Sequence, residues 1–415
     1  MSRIAIYTLT SELHNEQAVS SVTKEFLDGL KREFTFKEDT TLEFDIKDNN
    51  YADYGSNVLD LIFVRTGGTE GIFKHLLPKL LEKSNRPFYL LTSGKSNSLA
   101  ASMEILSYLR QHGMKGEIIH GGLSYIAHRI ALLARIGEAK CRLSGCRLGI
   151  IGEPSDWLIS SHASKDVIRK RLGVELVDIP MRELLEAVAS TPLRAADEDC
   201  PSESIRKALP GALQIYDALK AVVKRHGLKG FTLRCFDLLN SVHNTGCLAL
   251  AKLNAEGVVA GCEGDVPAML TMMTAQVLLG VSGFQANPAS INPQTGEIVF
   301  AHCTIPFNMV EHYEYDTHYE SGIGVGIRGY VKEGPVTIFK MSGDLSRSFI
   351  QEGELVMTQR KPDLCRTQQV IRLSNPLQTT YFLTDPIGNH HVILPGHHQE
   401  LLTGLSMAIK GRSES

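Results

Sequence analysis

Through its first 280 residues the chain alternates short apolar runs with stretches of helical periodicity, and this rhythm limits the folds open to it. The runs at 4–9, 61–64 and 88–92 are too short for buried helices and read as strands. The stretches at 16–34, 72–81 and 99–111 carry apolar residues at helix spacing, two of them entered through Gly67-Gly68-Thr69-Glu70-Gly71 and Ser96-Asn97-Ser98. Strands that are apolar on both faces and alternate with helices belong to parallel sheets covered on both sides.

The rhythm restarts at Arg147-Leu148-Gly149-Ile150-Ile151-Gly152. It runs on through strand 175–178, helices 181–189 and 212–225, strand 232–236, helix 246–254, strand 258–262 and helix 266–279. Beyond Phe284 the texture changes to short β-like pieces at 298–303, 324–330, 336–339, 367–373 and 391–394, broken by glycines and closed by a helix at 399–410. The expected fold is α/β: two stacked Rossmann-like α/β domains, 1–143 and 144–288, then a β-rich, antiparallel barrel-like domain over 289–415.

Composition narrows the partners. Among 415 residues, 43 Lys and Arg face 46 Asp and Glu, a formal charge of -3 that supplies no basic face for nucleic acid. A small molecule is the expected partner. The most apolar stretch, 268–281, is interrupted by Thr271, Thr274, Gln276 and Gly280, so no membrane span is expected. The N-terminus reads at once as a strand, without a signal peptide, and the eight cysteines lack the spacing of a disulfide framework or zinc knuckle. A reducing cytoplasm is the expected location.

The sharpest local feature is Gly261-Cys262-Glu263-Gly264-Asp265, where a buried strand gives way to a helix. Open α/β sheets bind ligands outside the carboxyl ends of their strands, so two acids at that point suit a ligand site. Asp265 ahead of Val266-Pro267 also suits a plain helix cap. Asp237 follows Arg234-Cys235-Phe236 at the end of the preceding strand. Strands lie about 4.8 Å apart, so Asp237 should emerge on the same edge, as a solvated loop residue or as a carboxylate sharing a cation. His302 ends one β segment, and Asn389-His390-His391 enters another. Adjacent strand residues face opposite ways, so one histidine of each pair is expected at a site. Oxygen and imidazole donors from separate segments are a set that Mn²⁺ accepts. The GxGxG of Gly322, Gly324 and Gly326 has no following helix and fails the context of a dinucleotide loop.

With these segments in place, the chain resembles the L-fucose/L-arabinose isomerase superfamily, and more closely its shorter fucose isomerase-like members. The resemblance covers most of the chain. It is carried by Thr66-Gly67-Gly68-Thr69-Glu70, Asn97-Ser98-Leu99, the run from Gly149 to Trp157, Arg234-Cys235-Phe236, Cys262-Glu263-Gly264-Asp265-Val266, His302-Cys303, Asn389-His390 and Gly396-His397. It implies an aldose–ketose isomerase that uses a divalent metal, most often Mn²⁺, to chelate adjacent sugar oxygens and stabilise an enediolate. It also implies a homo-oligomer, trimeric or hexameric.

By the same resemblance, Asp265 and His390 fall where the fucose isomerases have metal ligands, and His302 where the arabinose isomerases have a further one. The family's first carboxylate would fall near Thr245-Gly246-Cys247, where this chain has no acid. Glu263 or Asp237 is then expected to move the proton between C1 and C2. Trp157 is a candidate wall for the sugar, and Asn389 a candidate contact. Two other readings stay open: a non-catalytic carbohydrate-binding relative, and another metal–enediolate reaction such as aldol cleavage or epimerisation.

Overall fold

The computed structural model describes residues 3–37, 43–48, 50–193, 195, 200 and 202–410. The chain divides into two compact units, Met1–Cys141 with Gly404–Ser415, and Arg142–Thr403. The extreme ends of the first and third expected domains lie outside the described residues.

The first unit contains β1 (Arg3–Leu9), α1 (Glu16–Lys37), β2 (Glu43–Asp48), β3 (Leu59–Val64), α2 (Glu70–Lys83), β4 (Phe88–Thr92), α3 (Ser98–Gln111), β5 (Gly116–Ile119) and most of α4 (Leu123–Leu143). Its five strands form one parallel sheet in the order β2-β1-β3-β4-β5. The central β3, Leu-Asp-Leu-Ile-Phe-Val, is buried along its whole length, as a strand covered on both faces must be. Strands β2 and β5 escape the sequence reading because both are edge strands with mixed polar residues.

The second unit opens with β6 (Arg147–Ile151), α5 (Lys165–Leu172), β7 (Glu175–Ile179), α6 (Met181–Ser190), α7 (Glu203–His226), β8 (Gly230–Leu233), α8 (Asp237–Val242), α9 (Cys247–Ala255), β9 (Val259–Cys262) and α10 (Val266–Leu279). A four-stranded parallel sheet, β7-β6-β8-β9, forms its α/β part. Two differences from the sequence reading have clear causes. Helix α7 starts nine residues earlier than expected, because Ser202 caps it by accepting from Ile205 N and the helix runs through Pro210. The strand expected over 232–236 stops at Leu233. Turn hydrogen bonds from Asp237, Leu238 and Leu239 back to Arg234, Cys235 and Phe236 close the chain into the short α8.

The remainder holds β10 (Phe284–Asn292), β11 (Glu297–His302), β12 (His312–Asp316), β13 (Gly326–Tyr330), β14 (Gly334–Met341), β15 (Ser348–Thr358), β16 (Thr367–Leu373), α11 (Thr379–Thr384), β17 (His391–Pro395) and the start of α12 (Gln399–Ile409), which belongs to the first unit from Gly404 on. Six strands close an antiparallel barrel in the order β10-β11-β16-β15-β14-β17, and β17 pairs back with β10. The expected α/β class with a barrel-like β part is therefore what the chain forms. Phe284, Ile298, Phe300, Ile338, Ile371 and Ile393 fill the barrel. Phe300 is fully buried and meets Phe382 edge to face at 5.9 Å. Its replacement by alanine is expected to destabilise this unit by about 3–5 kcal/mol, read as a lower urea midpoint.

Helix α10 joins the two layers of the second unit. Its residues are apolar nearly all round and buried from Val266 to Ala275, and it packs on β9, β14 and β17. No helix among the described residues is long and apolar enough to cross a membrane.

Candidate metal centre

The site is built on the turn between β9 and α10. Glu263 and Gly264 are both left-handed, with φ of 62° and 70°. A non-glycine residue in that region costs on the order of 1 kcal/mol and persists only where its surroundings hold it. Here Gly264 N donates to Leu233 O at 3.0 Å, and Ser155 N donates to Glu263 O at 2.9 Å. The turn thus fixes the backbone of Glu263 against β8 and the loop after β6.

The barrel brings in two imidazoles. His302 ends β11, and its Nδ1 lies 2.9 Å from the Thr304 hydroxyl. His390 precedes β17, and its Nδ1 donates to Oδ2 of Asp265 at 2.9 Å. These contacts leave both Nε2 atoms turned to Oε1 of Glu263, at 3.7 Å from His302 and 3.6 Å from His390. Glu263, His302 and His390 can each offer one donor atom, all within 4.8 Å of one another.

A divalent metal fits this trio. His390 is fully buried and its Nε2 has no hydrogen-bond partner among the described residues, which is costly for a polar atom that no ligand meets. Two imidazoles and a carboxylate suit first-row transition metals, and a carboxylate behind one histidine is a common outer-shell arrangement. Burial opposes ionisation of Glu263, but His390 and His302 outweigh it and hold the carboxyl well below the usual range. Burial likewise opposes charge on His390, yet Glu263 and Asp265 raise it to about 9. A metal held there at pH 7 would have to displace that proton. Calorimetry in buffers of different ionisation enthalpy is expected to show about one proton released per metal, with affinity weakening as pH falls.

The other expected residues lie as follows. Asp265 stands outside the trio. It is fully buried, its Oδ1 accepts from Ala268 N at 2.7 Å as the cap of α10, and its Oδ2 holds His390. Of the two sequence readings the structure shows the cap, and the carboxylate's other oxygen holds a histidine of the trio where a metal ligand was expected. Asp237 begins α8 and is paired with Arg234 at 3.1 Å, which also binds Asp156. With Gly152, Asp156, Pro180 and Arg234 it lines a cleft of about 890 Å³ outside the carboxyl ends of the four-stranded sheet. Trp157 donates from Nε1 to Oε2 of Glu263 at 2.6 Å and meets Phe236 edge to face at 4.8 Å, with half its surface exposed. Asn389 is exposed and donates to Asn287 Oδ1 at 3.1 Å.

Three residues escaped the sequence reading. His318 packs edge-on to Phe236 at 5.5 Å and lies 3.8 Å from Glu320, in a loop without periodicity. Burial lowers His318 to about 4, while burial and the charge of Glu263 raise the Glu320 carboxyl. Lys340 sits in β14 at 1% exposure, 3.6 Å from Oδ2 of Asp265. His391, by contrast, turns into a cluster with Tyr381, whose hydroxyl is 3.0 Å from its Nε2. One histidine of that adjacent pair faces the trio, and the other is fully buried in this cluster, not at the surface where sequence would put it.

Comparison with known proteins finds similarity to sulfoquinovose isomerases. Over 188 residues, 43% of this chain and 42% of the relative, it is 27% identical to the sulfoquinovose isomerase of Clostridium sp. (strain MSTE9). Over 266 residues, 59% of each chain, it is 22% identical to that of Priestia aryabhattai. The sulfoquinovose isomerase of Alkalicoccus urumqiensis is 19% identical over 265 residues. The matches span about half the length of these curated relatives. No family model matches the chain.

Proposed function

We propose that this protein is a metal-dependent aldose–ketose isomerase, and that its substrate is a sulfonated aldose of the sulfoquinovose type. The observation that carries the reading is the buried, unpartnered Nε2 of His390 facing Oε1 of Glu263, on a chain similar to sulfoquinovose isomerases. A divalent metal, Mn²⁺ by preference, held by Glu263, His302 and His390, would supply a Lewis acid for the carbonyl.

The chain's own groups do the rest. Trp157 holds Oε2 of Glu263 and leaves Oε1 to the cluster, while its exposed face offers a wall for the sugar. Proton transfer between C1 and C2 falls to a carboxyl group. Glu263, kept ionised, takes the proton from C2 and, its carboxyl exchanging with solvent, gives a proton to C1, which restores the carboxylate. Asp237, paired with Arg234, lines the neighbouring cleft, and Asn389, next to His390 in the chain, would meet a distal hydroxyl. A cytoplasmic homo-oligomer, trimeric or hexameric, belongs to the same reading and is tested by light scattering.

The test is to strip the protein with chelator, restore Mn²⁺, and follow sulfoquinovose by ¹³C NMR. Metal-dependent appearance of a ketose carbonyl is the expected result. Binding without conversion would favour the carbohydrate-binding alternative, and an epimer or a cleaved product would assign a different reaction to the same scaffold.

A further inference from the structure

Behind the histidine that faces Glu263 lies a buried ammonium group to which nothing above assigns a role. Lys340 is 1% exposed, and its Nζ makes no hydrogen bond among the described residues. The nearest ionic partner is Oδ2 of Asp265, at 3.6 Å. That same oxygen accepts from Nδ1 of His390 at 2.9 Å, while Oδ1 is occupied by Ala268 N. Lys340, Asp265, His390 and Glu263 therefore form a continuous line from the barrel strand β14 to the metal trio. A buried lysine is expensive unless a carboxylate offsets it, and a buried carboxylate is equally expensive without a cation. A hydrocarbon side chain would satisfy packing at position 340 just as well, so packing alone does not account for the ammonium.

We propose that Lys340 is a positioning residue for the metal centre: it anchors the buried Asp265 carboxylate, which in turn fixes His390 with Nε2 toward Glu263. This rests on the metal-centre reading above. Outer-shell partners of this kind orient a ligand they do not themselves replace, and their removal costs about 10–100-fold in metal affinity.

The experiment is a calorimetric Mn²⁺ titration of chelator-stripped wild type, Lys340→Met, Asp265→Asn and the double variant, with visible spectra of the Co²⁺-loaded forms. Asparagine still caps a helix, so Asp265→Asn leaves the start of α10 in place. The expected result is a loss of about tenfold or more for Lys340→Met, shifted Co²⁺ bands, and almost no further effect of Lys340→Met once Asp265 is Asn. A purely structural lysine would lower the melting temperature and leave both the affinity and the bands unchanged, which overturns the proposal. An equal loss in the Asp265→Asn background overturns it too. If Lys340→Met does not fold, Asp265→Asn alone must lose about tenfold, and wild-type affinity there overturns the proposal. A wild type that binds no Mn²⁺ instead removes the metal-centre reading itself.

Discussion

His390→Ala is expected to abolish metal binding and, with it, metal-dependent turnover, while the protein still folds. The imidazole supplies one of three donor atoms, so its loss should exceed the roughly 10–100-fold that removal of an outer-shell partner costs. Folding should survive because the groups left behind keep partners. Oδ1 of Asp265 still caps α10, and Oδ2 still has Lys340. The vacated space is a destabilising cavity and Glu263 and Asp265 lose a cation they share, so the melting temperature should fall without loss of the fold. Calorimetry and circular dichroism on the same sample check this, and a folded variant with wild-type affinity would remove His390 from the site.

Gly264→Ala is expected to damage the site through the backbone. A Cβ at this position would lie 2.6 Å from Glu153 O and 2.7 Å from Pro154 Cα, on a residue with φ of 70°. Neither obstacle is the end of a flexible side chain, so the turn and the loop after β6 must separate. That separation pulls Ser155 N from Glu263 O and Trp157 Nε1 from Oε2, so Glu263 loses both anchors. Stability should fall by about 1–3 kcal/mol, the usual cost of a side chain in such a conformation. Activity should fall on the order of 100-fold, because small displacements of a reacting group are amplified in rate. Thermal unfolding and initial rates measured together check this. A variant with normal rates would show that the Glu263 geometry is not tied to this turn.

Much of this was legible in the sequence. β3, apolar but for Asp60, and α10, apolar nearly all round, are what strands and helices buried on every side look like, and the change of texture after Phe284 marks the barrel. The Glu263–Asp265 turn stood out because strand-to-helix junctions are where α/β sheets place their chemistry. The division of labour inside that turn was not legible. Which acid points to the histidines depends on the left-handed φ of Glu263, and hydrophobic periodicity carries no information about a single dihedral.

Asp237 was placed on a strand end because 232–236 reads as a strand. An i,i+3 ion pair to Arg234 and three turn hydrogen bonds make it the start of a helix instead. Lys340 was invisible because an isolated lysine in a strand normally marks the solvent face. Only the tertiary placement of Asp265 shows why this one is buried.

The central claim is that Glu263, His302 and His390 support proton exchange at the carbon next to a sugar carbonyl. The most direct measurement is ¹H NMR of sulfoquinovose in D₂O with Mn²⁺-loaded protein, with chelator-stripped protein and Glu263→Gln alongside. The account predicts deuterium at C2 with the loaded wild type and none with either control. A wild type that binds Mn²⁺ and the sugar yet leaves the C2 proton in place would contradict it.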